Sequence, residues 1–352
     1  MSGAMADEAI YPSRNPYLIG HDDEARLFLS AYNSGALHHG WLITGDEGIG
    51  KATLAYKIAR FLLAAEAGKT YEMLDVPVDG PVFAQVAQKS HPDFKVLERD
   101  FTETDKKKLI KAINQGEEVD DEMKQGLKRS AVIKVEDVRG VVEFLGKKSF
   151  NDNWRVVIVD SADDLNVSSA NALLKILEEP PLKSILLLVS HNPGKLLPTI
   201  RSRCAKLALK PLQEIEVASL LRRYKPSLKE AEVQGLAKIA AGSIGRALKY
   251  AENDALAMYE NIKKICYGGA KCDGGLLLEL AGDVAGDEDC WYLFAELVCR
   301  FARDNLPGAA HPRELYEAYE AALKILDETV RLNMDKNCLL YTSPSPRDVE
   351  ES

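Results

Sequence analysis

The sequence predicts an α/β domain with a parallel sheet and a phosphate-binding loop (P-loop) in the first half of the chain, followed by helices alone. Strand-like and helix-like segments alternate in the first half, which is the pattern of parallel strands covered by crossover helices. The runs RVVIVD at 155–160 and ILLLVS at 185–190 are almost entirely apolar, as central strands buried on both faces are. After Pro211 the apolar residues follow helical periodicity, so the C-terminal part is predicted to be all-helical.

Local patterns place the other elements of the first half. They predict strands over 41–44 and 94–97 and helices over 51–65, 135–145 and 168–179. The last of these helices has Ser168 as its predicted N-cap and stops at Pro180 and Pro181. The highly charged stretch 100–128 is predicted to be an exposed, mobile excursion outside the core.

Bulk properties bound the function. A chain of 352 residues favours two or three domains, and 46% hydrophobic residues suffice for a sizeable core. No apolar run approaches the roughly 20 residues needed to cross a bilayer, so we expect no membrane partner. The N-terminus has neither the basic start nor the apolar stretch of a secretory signal, so we expect a cytoplasmic protein. The net charge of −9 repels polyanions, so contact with nucleic acid must be local or come through partners.

The cysteines argue against a structural metal or a disulfide framework. The six cysteines stand far apart and form no CxxC pair, so we expect reduced thiols and no zinc. They are at positions 204, 266, 272, 290, 299 and 338.

The segment GDEGIGKA at 45–52 fits the P-loop pattern GxxxxGK, but Ala52 stands where the full pattern requires Ser or Thr. Its place between a predicted strand and a predicted helix is the context in which backbone N–H groups point at phosphate. Lys51 would contact the terminal phosphates. Ala52 cannot supply the hydroxyl that ligates Mg²⁺, and Thr53 lies about 100° further around the helix. Metal binding is therefore predicted to be compromised, and nucleotide binding to be weak.

Asp160 ends the strand RVVIVD, where nucleotide hydrolases place an acidic residue that holds the metal's water shell. The next residue is Ser161, whereas a catalytic glutamate follows in active enzymes. Two interpretations stay open for Asp160, contact with the metal or a cap of a buried strand. Together with Ala52, Ser161 predicts a site without hydrolytic activity.

Four segments resemble one family. They are PYLIGH at 16–21, GIGKATLA in the P-loop, VDSADDLNVSSANALLKILEEPP at 159–181 and HNPGKLLPTIRSRC at 191–204, and they resemble the delta-prime family of bacterial DNA polymerase III clamp-loader subunits. The resemblance implies an AAA+ P-loop domain over 1–209, a small helical lid over 210–260 and a helical collar over 261–337. It also implies a ring with tau/gamma and delta subunits that loads the sliding clamp onto primed DNA.

The resemblance also assigns residues by position. Arg203 in the SRC motif resembles an arginine finger that reaches into a neighbouring subunit's ATP site, although an exposed loop arginine is usually just solvated. Arg246 resembles the second sensor arginine of the lid, and an exposed arginine in the first turn of a helix looks the same. His191 stands where related ATPases sense the terminal phosphate, or caps a strand. The predicted nucleotide-binding residues are Gly45, Gly48, Gly50, Lys51, Thr53, Asp160 and Arg246.

Two departures from the family matter. Members often carry a four-cysteine zinc module after the loop helix, but residues 63–95 contain no cysteine, so no zinc is expected. From about residue 338 the chain loses its amphipathic pattern, and YTSPSPRD resembles a translated sequencing adapter. Residues 338–352 are therefore expected to be a non-native tail.

The leading hypothesis is a structural clamp-loader subunit that donates Arg203 to a neighbour. One rival gives the chain its own slow ATPase activity through Lys51 and Asp160. Another makes it a direct DNA-binding module, against which the net charge and the lack of a basic-aromatic stripe count. A third places it among AAA+ proteins of another pathway, which the SRC region disfavours.

Overall fold

The computed structural model describes residues 10–114, 127–147, 149, 153–268, 288–305, 313 and 320. The chain divides into two compact units. The first comprises Met1–Leu228 with Ala241–Gly245, and the second comprises Lys229–Ala240 with Arg246–Ser352. The expected tail at 338–352 and most of the predicted helical run at 275–334 lie outside the described residues.

The first unit alternates helices and strands along the chain. Its elements are α1 (Asp22–Asn33), β1 (Gly40–Thr44), α2 (Lys51–Ala64), α3 (Pro81–Ala87), β2 (Phe94–Glu98), α4 (Glu103–Asn114), α5 (Val135–Gly146), β3 (Arg155–Asp160), α6 (Val167–Glu178), β4 (Ser184–Ser190), α7 (Pro198–Arg201), β5 (Ala205–Ala208) and α8 (Glu214–Tyr224). The four predicted strands and the three predicted helices are confirmed, with bounds shifted by one residue in most cases.

The sheet has the strand order β2-β3-β4-β1-β5, and every neighbouring pair is parallel. The predicted parallel α/β architecture is therefore confirmed. Because all five strands run the same way, the loops after them meet at one edge of the sheet, and the segments before them meet at the opposite edge.

Helices cover both faces of the sheet. On one face, Ile43 and Ile158 pack with Leu54 and Phe61 of α2 in one core cluster. On the other face, the strand residues that point the opposite way, such as Leu42 and Val157, pack with residues of α5 and α6 in a second core cluster. Successive strand residues thus enter opposite cores, which explains why β3 and β4 are apolar at nearly every position.

Two sequence predictions in the first unit need correction. Helix α6 begins at Val167, and its cap is Asn166, whose side-chain oxygen accepts a hydrogen bond from the Ser169 amide; Ser168 was the predicted cap. The excursion predicted over 100–128 contains the helix α4, and Asp105 in it is buried. The Asp105 carboxylate accepts hydrogen bonds from the side chains of its own turn and from the Lys128 amide, which ties the segment to the domain.

Helices are the only regular secondary structure among the described residues of the second unit, as predicted. Its helices are α9 (Glu230–Ile239), α10 (Ile244–Glu252, which enters this unit at Arg246), α11 (Ala255–Gly268) and α12 (Glu288–Asn305). Helices α11 and α12 pack through Tyr259 and Phe301, whose ring centroids lie 6.4 Å apart. None of the helices in the described ranges has the length and apolar character to span a membrane.

Candidate functional site

The P-loop lies between β1 and α2, as its sequence predicts, and its backbone depends on glycine. Gly45, Gly48 and Gly50 all have positive φ angles, of 142°, 74° and 109°. A Cβ atom on Gly45 would lie 2.6 Å from the carbonyl oxygen of Leu209, the residue directly after β5, so the backbone there leaves no room for a side chain. The glycines therefore preserve the loop's shape.

The carbonyl groups of the P-loop accept hydrogen bonds from other segments of the first unit. The Ser243 hydroxyl donates to the Glu47 carbonyl at 2.8 Å, and the Gly245 amide donates to the Gly48 carbonyl at 2.9 Å. The buried His21 ring places Nε2 2.7 Å from the carbonyl oxygen of Ile49, so this nitrogen carries the proton that it donates. Three successive peptide carbonyls are thus held by protein groups, and the loop keeps its shape through these contacts.

We expect Gly48→Ala to lower the free energy of unfolding by about 2–3 kcal/mol, because it combines strain at positive φ with a steric clash. The new Cβ would lie 2.4 Å from the Ser243 hydroxyl oxygen. Gly68→Ala is the matched control, since Gly68 has φ 79° and no atom within 4 Å of the added Cβ. It should lose only about 1 kcal/mol. Urea unfolding of both variants measures the difference, and equal losses would contradict the proposed packing of the loop.

Lys51 is buried, and its ammonium group is bonded within the loop itself. Nζ donates to the carbonyl oxygen of Gly45 at 2.7 Å and also to that of Asp46. Burial lowers the pKa of Lys51 to about 8, although nearby carboxylates, first Glu47 and then Asp160, oppose that shift. Two of the three N–H donors of the Lys51 ammonium group are therefore used by loop carbonyls, and one is left for another acceptor.

The positions that follow Lys51 supply no exposed hydroxyl. Ala52 carries only a methyl group, and Thr53 is buried with 9% of its surface exposed. Within the ranges that the structure describes, no three His, Cys, Asp or Glu side chains are grouped so that they could hold a metal ion.

A polar cavity of about 480 Å³ opens beside the P-loop at the carboxyl edge of the sheet. Its lining includes Glu47, Glu98, Asp160, Asp163, His191 and Lys195. Burial raises the pKa of Asp160, and the nearby His191 and Lys51 act in the opposite direction. The cavity therefore brings together two predicted site residues, Asp160 and His191, and Lys51 lies near enough to interact electrostatically with Asp160.

Asp163 organises this cavity, and the sequence analysis missed it. Its carboxylate accepts hydrogen bonds from the Ser161 and Ser190 hydroxyls, at 3.0 and 2.8 Å, and from the amides of His191 and Asn192. Burial by itself would raise the pKa of Asp163, but these hydrogen bonds lower it on balance. The Ser161 hydroxyl, by its hydrogen bond to Asp163, therefore helps to join the end of β3 to the end of β4. The only sequence signal was an aspartate three residues after a buried strand.

Arg203 lies at the opposite edge of the sheet from the P-loop. It precedes β5, which is parallel to β1 with Trp41 opposite Ala205 and Thr44 opposite Ala208. The P-loop follows β1, so the four paired residues, at about 3.3 Å each, separate the two features by about 13 Å or more. Arg203 therefore cannot serve the P-loop of its own chain.

The Arg203 guanidinium is held on its own subunit by two contacts. Nη2 lies 3.0 Å from Oε1 of Glu178, and Nη1 donates to the Thr199 carbonyl at 3.1 Å. The side chain remains 37% exposed. The other N–H groups of the guanidinium take no part in these two contacts, and a partner could reach them.

Arg246 belongs to the second unit, on α10. Its Nε lies 2.6 Å from Oε1 of Glu296 on α12, and its Nη1 donates to the carbonyl oxygen of Ala240 at 3.0 Å. The sequence analysis did not predict this acidic partner, because it lies 50 residues away in a separate helix.

Comparisons with known proteins agree with this arrangement of motifs. The family model described as DNA polymerase III, delta subunit matches residues 20–213. The DNA polymerase III subunit delta' of Pseudomonas aeruginosa is 35% identical over 173 residues, which cover 48% of this chain and 42% of that protein. The DNA polymerase III subunit gamma of Buchnera aphidicola is 26% identical over 240 residues, covering 67% of this chain and 57% of that protein.

Among solved structures, the Thermotoga maritima RuvB Holliday junction branch migration motor has a TM-score of 0.44 and 16% identity, covering 96% of this chain and 94% of that one. The chain spans about half the length of the curated relatives that it matches. The family match begins at Gly20, near the end of the PYLIGH segment, and ends a few residues after β5. The P-loop and the SRC motif both lie inside it. The chain therefore belongs to the family described as DNA polymerase III, delta subunit, and DNA polymerase III subunits delta' and gamma are among its relatives.

Proposed function

We propose that this chain is the delta-prime subunit of a DNA polymerase III clamp loader in the cytoplasm. In this proposal it assembles with tau/gamma and delta subunits and helps to load the sliding clamp onto primed DNA through the complex. Support comes from the family match and from relatives that are named as delta' and gamma subunits. Following the sequence, we assign residues 1–209 to the AAA+ domain, 210–260 to the lid and 261–337 to the collar.

The chain contributes chemistry to a neighbour's ATP site through Arg203. The observation that carries this proposal is the position of Arg203 at the sheet edge opposite its own P-loop, partly exposed and within the SRC motif. A guanidinium that enters from an adjacent subunit stabilises the charge on the transferring phosphoryl group, and such fingers contribute about 10³–10⁵ in rate. The chain's own P-loop and the ATP site to which Arg203 contributes are therefore on different subunits.

The chain's own pocket holds ATP weakly and does not turn it over. Lys51 is bonded to loop carbonyls, Ala52 lacks the metal-binding hydroxyl, and Ser161 replaces the glutamate that would activate water. The loop glycines and Asp160 keep the architecture of a nucleotide site, and the family resemblance assigns Arg246 as the sensor of the lid. The chain needs no zinc in this proposal.

The purified chain alone is expected to show negligible ATP hydrolysis, and Lys51→Ala should leave that background unchanged. Phosphate release at saturating ATP, with the tau/gamma relative's ATPase domain as the active reference, measures this directly. Robust turnover that Lys51→Ala abolishes would contradict the proposal.

A second candidate function keeps the fold but gives the chain slow ATP turnover of its own. The observation that favours it is the electrostatic coupling between Lys51 and Asp160, which lie close enough to shift each other's pKa. The measurement on Lys51→Ala separates the two functions. A rate that is low but sensitive to Lys51→Ala supports this candidate.

A further inference from the structure

Glu178 is the residue that holds Arg203. It is the last residue of α6, and its carboxylate forms an ion pair with the Arg203 guanidinium, Nη2 to Oε1, at 3.0 Å. The two residues are 25 positions apart in the sequence. Parallel packing of β1 between β4 and β5 brings the end of α6 beside the segment that precedes β5.

Helix stability does not explain a glutamate at this place. The C-terminus of a helix carries a partial negative charge, so an acidic side chain there is unfavourable and a basic one favourable. Glu178 is followed by a second acidic residue, Glu179. The positive charge of Arg203 compensates for this local negative charge, and the negative charge in turn holds the guanidinium beside the end of α6.

The end of α6 is a firm support for this carboxylate. The His39 ring places Nε2 2.9 Å from the Leu177 carbonyl oxygen, and Leu177 itself is buried. A Cβ atom added to Gly40 would lie 2.7 Å from a methyl carbon of Leu177, so the helix end and β1 are in close contact. A group that orients another residue has to be fixed in this way.

The geometry leaves the guanidinium oriented and still able to bind an anion. Arginine has five N–H donors in a rigid plane, and the contacts with Glu178 and the Thr199 carbonyl use one donor on each terminal nitrogen, so three donors remain. We infer that Glu178 is a positioning residue, which fixes the Arg203 guanidinium for the terminal phosphate of ATP bound to a neighbouring subunit. This inference rests on the proposed function of Arg203.

The test uses the complete loader, reconstituted with tau/gamma and delta subunits and stimulated by primed DNA. Glu178→Ala should lower the rate constant of hydrolysis at the adjacent ATP site about three- to tenfold, with the half-saturating ATP concentration unchanged within about twofold. Glu178→Gln should keep most of the rate, because the amide oxygen still accepts the hydrogen bond. Glu179→Ala is the matched control and should have no effect.

A double-mutant cycle separates positioning from a structural role. In an Arg203→Ala background, Glu178→Ala should cause no further loss, because the residue through which it acts is absent. A similar loss in both backgrounds would show a structural role and overturn the inference, as would a rise in rate or an unchanged rate for Glu178→Ala alone. If Arg203→Ala itself has no effect, the finger is wrong and the proposed function fails with it. If Arg203→Ala lowers the rate and Glu178→Ala does not, only the positioning role fails.

Discussion

Arg203→Ala should lower the rate of ATP hydrolysis at the adjacent site of a reconstituted loader by about 10³-fold, while the loader still assembles. In the proposed function the guanidinium stabilises charge that develops on the transferring phosphoryl group, so its removal should cost the rate that such a finger contributes. Rapid-quench measurement of DNA-stimulated hydrolysis should show the loss of one site's share of the product burst. Size-exclusion chromatography of the same complex checks its assembly.

Two further variants sharpen this prediction. Arg203→Lys should remain strongly impaired, because an ammonium group cannot contact a phosphate through two parallel hydrogen bonds. Arg139→Ala removes an exposed arginine from α5 and should leave the burst unchanged. An intact burst in Arg203→Ala would remove the finger assignment.

Asp163→Ala should lower the free energy of unfolding by about 3 kcal/mol, the largest effect on stability that we expect. The substitution removes a carboxylate that accepts four hydrogen bonds and leaves the amides and hydroxyls at the ends of β3 and β4 without that partner. Asp164→Ala is the control, since the Asp164 carboxylate forms a partly exposed ion pair with Arg99. It should lose less than about 1 kcal/mol.

The pH dependence of stability provides a second readout for Asp163. Its pKa is lowered in the folded chain, so its contribution to stability is present above the unfolded pKa and is lost as the pH falls through the folded pKa. Urea unfolding midpoints below about pH 4 should therefore converge for the wild type and Asp163→Ala. A constant difference down to the most acidic pH at which the chain folds would show that the stabilisation does not depend on the carboxylate's charge.

Patterns that act over a few residues were predicted well from the sequence. Apolar runs of strand length indicated β3 and β4, because strands buried on both faces have few polar positions. The P-loop glycines were found because the loop needs φ angles that other residues avoid. The helix α4 was missed because its charge was taken as a sign of solvation, although lysine and glutamate are good helix formers.

Contacts between distant segments could not be predicted in this way. Asp163 became recognisable only when the sheet placed the end of β4 beside the end of β3. The pair of Glu178 and Arg203 likewise depends on the strand order, which no local pattern specifies. The SRC motif indicated Arg203 through family resemblance, whereas its position at the far edge of the sheet came from the structure.

The central claim is that the chain's chemistry is directed at a neighbour's ATP site and not at its own. The most direct test compares Lys51→Ala and Arg203→Ala side by side in the reconstituted loader, by rapid-quench measurement of DNA-stimulated ATP hydrolysis. Our account predicts that Lys51→Ala leaves the product burst unchanged and that Arg203→Ala removes the share of one site. The opposite result, a burst reduced by Lys51→Ala and intact in Arg203→Ala, would contradict it.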